Sequence, residues 1–334
     1  MLRLYSLSFI ACLTLALIFP SLKASSNNLR VLIDTDIGLG KLYKLEKEIP
    51  ADIDDAYAIV NALRSSELHV AGITTVFGNT QLDSANQSVQ TILKLSHNGE
   101  IPWMPGAAKA GKEKEPCHFG ASRAADFIAR KLKDSPAHLL AIGPLTNIAC
   151  LLATHREVKP KIKEILVVMG QSIDTTFSIN NISVQDLNFE SDMSAVNTIL
   201  KSKVPMSFFP FELTKKVLIN RNRIVQMKSK DPLIDYFRKS SFDFITHWKS
   251  IFREDGFHPW DSAPVAYLKN PDWFRCEKRT MILDHKNGNE KLIAKTNNNH
   301  YTPWNFCYDF TTKGAKNSFE EDVLNKITQK PDQS

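Results

Sequence analysis

Apolar and polar positions between residues 30 and 210 alternate between two periods. Short apolar runs, "RVLID", "HVAGITTV", "HLLAIG", "EILVVMG" and "PMSFFP", predict buried strands. Between them lie stretches whose apolar residues recur three and four apart. "DDAYAIVNALRSS", "SANQSVQTILKLSHNG", "ASRAADFIARKLKD", "PLTNIACLLATH" and "DMSAVNTILKS" predict amphipathic helices, the second stopped by Asn98-Gly99. Strand–helix alternation of this kind predicts an α/β fold with an open, mostly parallel central sheet flanked by helices. Further on, "YFRKSSFDFITHWKSIF" predicts another helix, and 277–312 predicts strands or irregular structure. No linker or repeat divides the chain, so residues 25–334 are expected to form one domain.

The N-terminus stands outside this pattern. "MLRLYSLSFIACLTLALIFPSLKASS" carries one Arg, a long apolar stretch and Ala24 at a suitable cleavage point. It predicts a signal peptide over residues 1–24 and an exported protein, secreted or periplasmic. The apolar core is short for a membrane span and ends at Pro20. Hydrophobic content of 43% and charged content of 23% are ordinary for a globular chain. The net charge of +6 is scattered, which argues against a nucleic-acid partner. Export permits disulfides among Cys117, Cys150, Cys276 and Cys307. Cys276 and Cys307 flank a polar, hairpin-like segment and are the favoured pair. Cys150, inside "LTNIACLLA", reads as a plain core residue. No Cys/His spacing suggests zinc.

In open α/β sheets the binding crevice lies beyond the carboxyl ends of the strands. The residues leaving these strands are Asp34-Thr35-Asp36, Asn79, Gly143-Pro144 and Met169-Gly170, followed by "SINN" and "QDLNFESD". Carboxylates gathered at one edge repel unless a cation neutralises them, and hard oxygen ligands suit Ca2+ or Mg2+. A bound metal lowers the pKa of a water while a carboxylate takes its proton. Asp54 or Asp55 alone reads most simply as a helix cap. Capping does not account for the whole constellation.

"DTDIG" with "DIDDAYAI", "ITTVFGN", "AIGPLTNIA", "VVMGQ", "INNISVQDLN" and "PWDSAPVAYL" together resemble the inosine-uridine-preferring nucleoside hydrolase family, in order over roughly 30–270. The resemblance implies a tightly bound Ca2+ and hydrolysis of the N-glycosidic bond of ribonucleosides to free base and ribose by a metal-activated water. It implies Asp36, Asp55, Asp261 and the Ile142 carbonyl as metal ligands, with Asp36 as the base and Asn79 beside the water. Asp54, Met169, Asn180, Asp186 and Asn188 are implied to hold the ribose, and Asp34 to orient the first loop. It also implies a small-molecule nucleoside as partner and a homo-oligomer. Carboxylates and amide oxygens around the sugar would favour an oxocarbenium-like state. A phosphoryl-transfer DxDxT motif does not fit, because Gly38 stands where the Thr would be.

Three positions depart from the family pattern. Asp186 replaces a Glu. Trp260 replaces the His that precedes the late aspartate in many members, so the leaving-group acid is unassigned, while Trp260 can stack on a base. His258 is a candidate acid only if the loop bends, and a surface histidine is the simpler reading; His247 is another candidate, for which a core-helix residue is the simpler reading. The third departure is an insertion: Leu39 through Ala51 fill a gap that one residue fills elsewhere. Its mixed charge and Leu spacing predict a short amphipathic surface turn ended by Pro50. The expectation is an excursion that leaves the metal geometry intact, since loop-closure cost grows slowly with length. A lid, a partner-binding loop or a disrupted site are the alternatives. A non-catalytic ribosyl-binding protein that kept the fold is the alternative function.

Overall fold

The computed structural model describes residues 28–44, 47–112, 115–285, 290–296 and 303–328, with the side chains of 41–48 and 119 excepted. The expected signal peptide over residues 1–24 lies outside the described residues. Ten strands form one sheet in the order Trp103–Pro105, Leu68–Thr75, Leu29–Thr35, Ala137–Ala141, Ile162–Val167, Met206–Phe208, Trp304–Phe310, Phe274–Asp284, Lys291–Thr296 and Gln171–Ser172. The first seven run parallel, and the crossovers between them are largely helical. Phe274–Asp284 turns antiparallel to both its neighbours.

Side-chain alternation along the strands builds two cores, one on each face. Val31 and Ile33 of the first strand pack with Ala56, Ile59, Val89, Phe237 and Phe319. Leu32, pointing the opposite way, packs with Phe127, Leu132, Ile148 and Val196. The result is a helix–sheet–helix sandwich. Every strand and helix expected in residues 30–252 forms, as do three strands within 277–312 or overlapping it. Among the described residues no helix is long and apolar enough to cross a membrane.

Three features differ from the sequence reading. Cys150 is fully buried, as expected, yet it is bonded to Cys117 and so is not a plain core residue. The favoured pair Cys276–Cys307 does form, across directly opposed positions of two antiparallel strands. The insertion is not an amphipathic turn but an antiparallel hairpin, Lys41–Lys44 against Lys47–Pro50. Leu42 and Ile49 face each other in its register. The Leu spacing mimicked a helical turn, but strand pairing satisfies the backbone better over so short a length. A C-terminal helix, Lys313–Thr328, also went unread. It buries Phe319, Val323, Leu324 and Ile327, and a buried Lys269–Asp322 ion pair at 2.6 Å locks it down.

Candidate active site

Five neighbouring parallel strands deliver the site from their carboxyl ends. Asp36 follows Leu29–Thr35, Asn79 follows Leu68–Thr75, and Ile142 follows Ala137–Ala141. Met169 follows Ile162–Val167, and Phe211 follows Met206–Phe208. All line one cavity of about 280 Å³, together with Asp52, Asp54, Asp55, Asp186, Asn188, Trp260 and Asp261. Asp54 and Asp55 open the helix Asp54–Leu63. Asp261 precedes the helix Ser262–Lys269, and its side chain makes no capping bond. None of the three caps its helix. Their carboxylates face the cavity, where the positive ends of two helix dipoles favour negative charge.

The carboxyl groups are packed against one another. One oxygen each from Asp54, Asp55 and Asp261 lies within 4.8 Å of the other two. Asp54 is also hydrogen-bonded, carboxyl to carboxyl, with Asp261 and Asp52. Thr35 Oγ1 donates to Asp55, and the Asn79 amide donates to Asp36 Oδ2 at 2.6 Å. Burial raises every one of these acids. Asp36 is pushed up to about 7 by burial, with the charges of Asp34 and Asp52 adding to the effect. Asp54 rises to about 6 by burial, partly offset by its bond to Asp261. Asp52, Asp55 and Asp261 rise well above the usual carboxylate range, by burial first and then by each other's charges. Among the described residues lining the cavity there is no Lys, Arg or His. Buried oxygen donors without a protein counter-charge fit a hard divalent cation.

Glycine makes the close packing possible at one point. Gly78 has φ +152°, and a Cβ there would sit 2.1 Å from Asp36 Oδ2. Asn79, next in the chain, does more than line the cavity. Its side chain accepts from the Asp52 amide at 3.1 Å and donates to the Asp52 carbonyl at 2.9 Å. It therefore ties the strand that holds it to the far end of the insertion.

The second wall is aromatic. Phe211 stacks between Phe177, at 4.4 Å and 23°, and Trp260, at 5.3 Å and 18°. Trp248 and Phe252, one helical turn apart on Pro232–Phe252, line the same side.

Not every expected residue meets this cavity. Asn180 does not line it. With Asn181 it forms a hairpin turn, both at positive φ (49° and 64°), and its amide donates to the Phe252 carbonyl at 2.9 Å. Asn188 reaches the cavity but spends its amide on the Val168 carbonyl at 3.1 Å and, more weakly, on that of Ile142 at 3.4 Å. Asp186 lines it while accepting from the Gly170 amide at 2.7 Å, and burial raises it to about 7. Asp34 lies behind the site, bonded to Thr74 and Asn147. His258 is not a surface histidine. It is buried, with Nδ1 on the Val217 carbonyl at 2.7 Å and Nε2 on Glu254 at 2.9 Å, and neither nitrogen opens to the cavity. Asp52, Phe177, Phe211, Trp248 and Phe252 were missed. The i, i+4 spacing of Trp248 and Phe252 was a readable signal. Phe177, from a loop, and Phe211, which opens the short helix Phe211–Thr214, come from distant parts of the chain and left none.

The sequence pattern of the inosine-uridine preferring nucleoside hydrolases matches residues 31–310. The chain belongs to that family. As a nucleoside hydrolase it is an enzyme of N-ribosyl hydrolysis. It is 28% identical over 270 residues to the non-specific ribonucleoside hydrolase RihC of Escherichia coli (strain HS), covering 74% of this chain and 81% of that one. It is 24% identical over 282 residues to the probable uridine nucleosidase 1 of Oryza sativa subsp. japonica, covering 76% and 81%. Its fold is that of a purine-preferring ribonucleoside hydrolase from Gardnerella vaginalis, with a TM-score of 0.73 at 18% identity over 90% of this chain and 99% of the other. A plant nucleoside hydrolase is similar at 0.72 and 18%, over 89% and 99%. Within the nucleoside hydrolase fold, the acidic edge of the sheet is built from both sides of the hairpin Lys41–Pro50.

Proposed function

We propose that this nucleoside hydrolase is Ca2+-dependent and cleaves ribonucleosides at the acidic edge of the cavity. The observation that carries the reading is the buried aspartate cluster, without a basic partner among the described lining residues. The carboxylates that converge are those of Asp54, Asp55 and Asp261, and Asp36 and Ile142 line the same cavity; of these, Asp36, Asp55, Asp261 and the Ile142 carbonyl would hold the ion, and Asp54 either the ion or the sugar. So many oxygen donors favour Ca2+ over the smaller Mg2+. A bound Ca2+ supplies a polarised water and a grip on sugar hydroxyls. Asp36 is the base that takes the proton from water, and the carboxylates favour the positive charge that builds on the ring. Asp186 and Asn188 line the cavity with the aspartates, which supports assigning them to the ribose, and the aromatic wall supports assigning that side to the base. The two disulfides support export, since they persist in oxidising compartments.

The test is chromatographic release of free base from a nucleoside panel, with and without chelator. Wild type should release base only with Ca2+, and Asp36→Asn and Asp261→Ala should not. No release from any nucleoside at saturating Ca2+ would refute the proposal.

A further inference from the structure

His258 turns neither ring nitrogen to the cavity, and its two partners define its charge. Nδ1 lies 2.7 Å from the Val217 carbonyl, and Nε2 lies 2.9 Å from Glu254 Oε2. A carbonyl oxygen only accepts, and so does an ionised carboxylate. Glu254 is held below the usual carboxylate range, first by its bond from His258, with the charge of Lys215 adding to the effect. Two acceptors on one ring require a proton on each nitrogen, so His258 is an imidazolium. It is buried, and Glu254 largely so. A cation in that position is tolerated because it is paired and both its donors are used.

The imidazolium lies against two rings of the cavity wall. Its centroid is 4.6 Å from that of Trp260, at 40°, and 6.3 Å from that of Trp248, at 75°. Both tryptophans line the cavity. The Trp260 amide donates to the His258 carbonyl at 3.0 Å, so a tight turn keeps the two rings side by side. Trp260 also stacks on Phe211 at 5.3 Å. A cation within about 6 Å of a Trp centroid is attracted by the ring, more strongly where water is excluded. We propose that His258, held as an imidazolium by Glu254 and the Val217 carbonyl, is a positioning residue that fixes Trp260 in the base-binding wall through a cation–π contact. The inference rests on the reading of the cavity as a nucleoside site and deepens it. A side chain that touches neither substrate nor ion sets how firmly the wall grips the base.

Glu254→Gln separates the charge from the hydrogen bonding. Without the anion a buried cation is costly. The neutral ring keeps both bonds, because Nδ1 still donates to Val217 and Nε2 accepts from the new amide. Nitrogen-15 NMR at neutral pH should show two His258 ring N–H groups in wild type and Nδ1–H alone in Glu254→Gln. The free base released from the preferred nucleoside, tested as a competitive inhibitor, should bind Glu254→Gln about five-fold more weakly. KM for the nucleoside should rise with it, while kcat, inhibition by ribose and Ca2+ affinity by calorimetry stay within about two-fold. A single ring N–H on His258 in wild type would overturn the inference, as would unchanged base affinity in Glu254→Gln. Equal weakening towards base, ribose and Ca2+ would mark the pair as a brace for the whole loop that carries Asp261, and would overturn it too. Wild type that releases no base from any nucleoside would refute the nucleoside hydrolysis reading instead. The Trp260 indole signal would then decide the inference: a shift between wild type and Glu254→Gln supports it, and an unmoved signal overturns it.

Discussion

Replacing Gly78 with alanine puts the tightest contact of the site to the test. A Cβ at Gly78 would lie 2.1 Å from Asp36 Oδ2, 2.8 Å from Pro144 Cδ and 2.9 Å from Asp36 Cγ. Carbon–oxygen contacts settle at about 3.3 Å or more, so the carboxylate must retreat by roughly 1 Å. Pro144 blocks relief on one side, and the Asn79 amide, 2.6 Å from the same oxygen, is lost if Asp36 turns away. A misplacement of about 1 Å in a catalytic group costs on the order of 100-fold in rate, equivalent to about 2.7 kcal/mol of barrier. The backbone at φ +152° adds a further cost of about 1–3 kcal/mol to folding. We expect Gly78→Ala to fold with a lowered melting temperature, to bind Ca2+ more weakly by calorimetry, and to lose about two orders of magnitude in kcat/KM. Gly99→Ala is the matched control, since nothing lies within 4 Å of a Cβ there. Wild-type kcat/KM and Ca2+ affinity in Gly78→Ala would show that Asp36 is not held against this loop, and the assignment of Asp36 would fall with it.

Three further outcomes are expected. In chelator, thermal stability should fall between pH 5 and pH 8. Asp34, Asp36 and Asp186 are raised to about 7 and Asp54 to about 6 by burial, so the fold takes up protons that an unfolded carboxylate near 4 does not; this contribution is complete below the unfolded value and lost as pH rises through 6–7. Added Ca2+ should therefore raise the melting temperature more at pH 8 than at pH 5, and equal shifts by scanning calorimetry would contradict the cluster's role. Removing Lys41–Pro50 and joining Gly40 to Ala51, whose backbones already meet at 3.2 Å, should leave kcat within a few-fold; loss of all activity would make the hairpin part of the machinery. Asp322→Ala strands the buried Lys269 and should cost about 3–5 kcal/mol by denaturant unfolding, with activity per folded molecule unchanged.

The strands and helices were legible because each carries its period plainly. Val31, Leu32 and Ile33 alternate between two cores, and Val89, Ile92 and Leu93 mark one helix face. Asp36 was legible at a strand end and Asp54 and Asp55 at a helix start, where position fixes where a short side chain goes, while Asp261 was legible only through the family motif. Asp36, Asp55, Asp261 and Asp54 all reach the cavity. What stayed hidden depends on long-range packing. Asn180 was assigned to the ribose by its motif, but motif order does not report a turn's φ angles. His258 looked like a surface residue because Glu254 and the Val217 carbonyl, its partners, are not marked as such in the sequence. The C-terminal helix lacks a strong amphipathic pattern and is held by Lys269, over 40 residues away.

The insertion raised the question of whether a motif cut in two still makes one site, and the geometry answers it at the root rather than the tip. Leu39 and Ala51, at the two ends, are both buried, and the Ala51 amide closes on the Gly40 carbonyl at 3.2 Å. Tyr236 donates its hydroxyl to the Leu39 carbonyl at 3.3 Å, fixing the root to the helix that also carries Trp248 and Phe252. Asn79 then does what a short connection would otherwise do. Its backbone holds Asp36 on the first half, and its side chain holds both backbone groups of Asp52 on the second. With the halves pinned from a third strand, the length of chain between them no longer sets their spacing, and its entropy enters only logarithmically. That is how Asp36 and Asp55 come to line one cavity although a hairpin separates them in the chain. It also means that Asn79, more than any residue of the hairpin, is the position on which the integrity of the split motif depends.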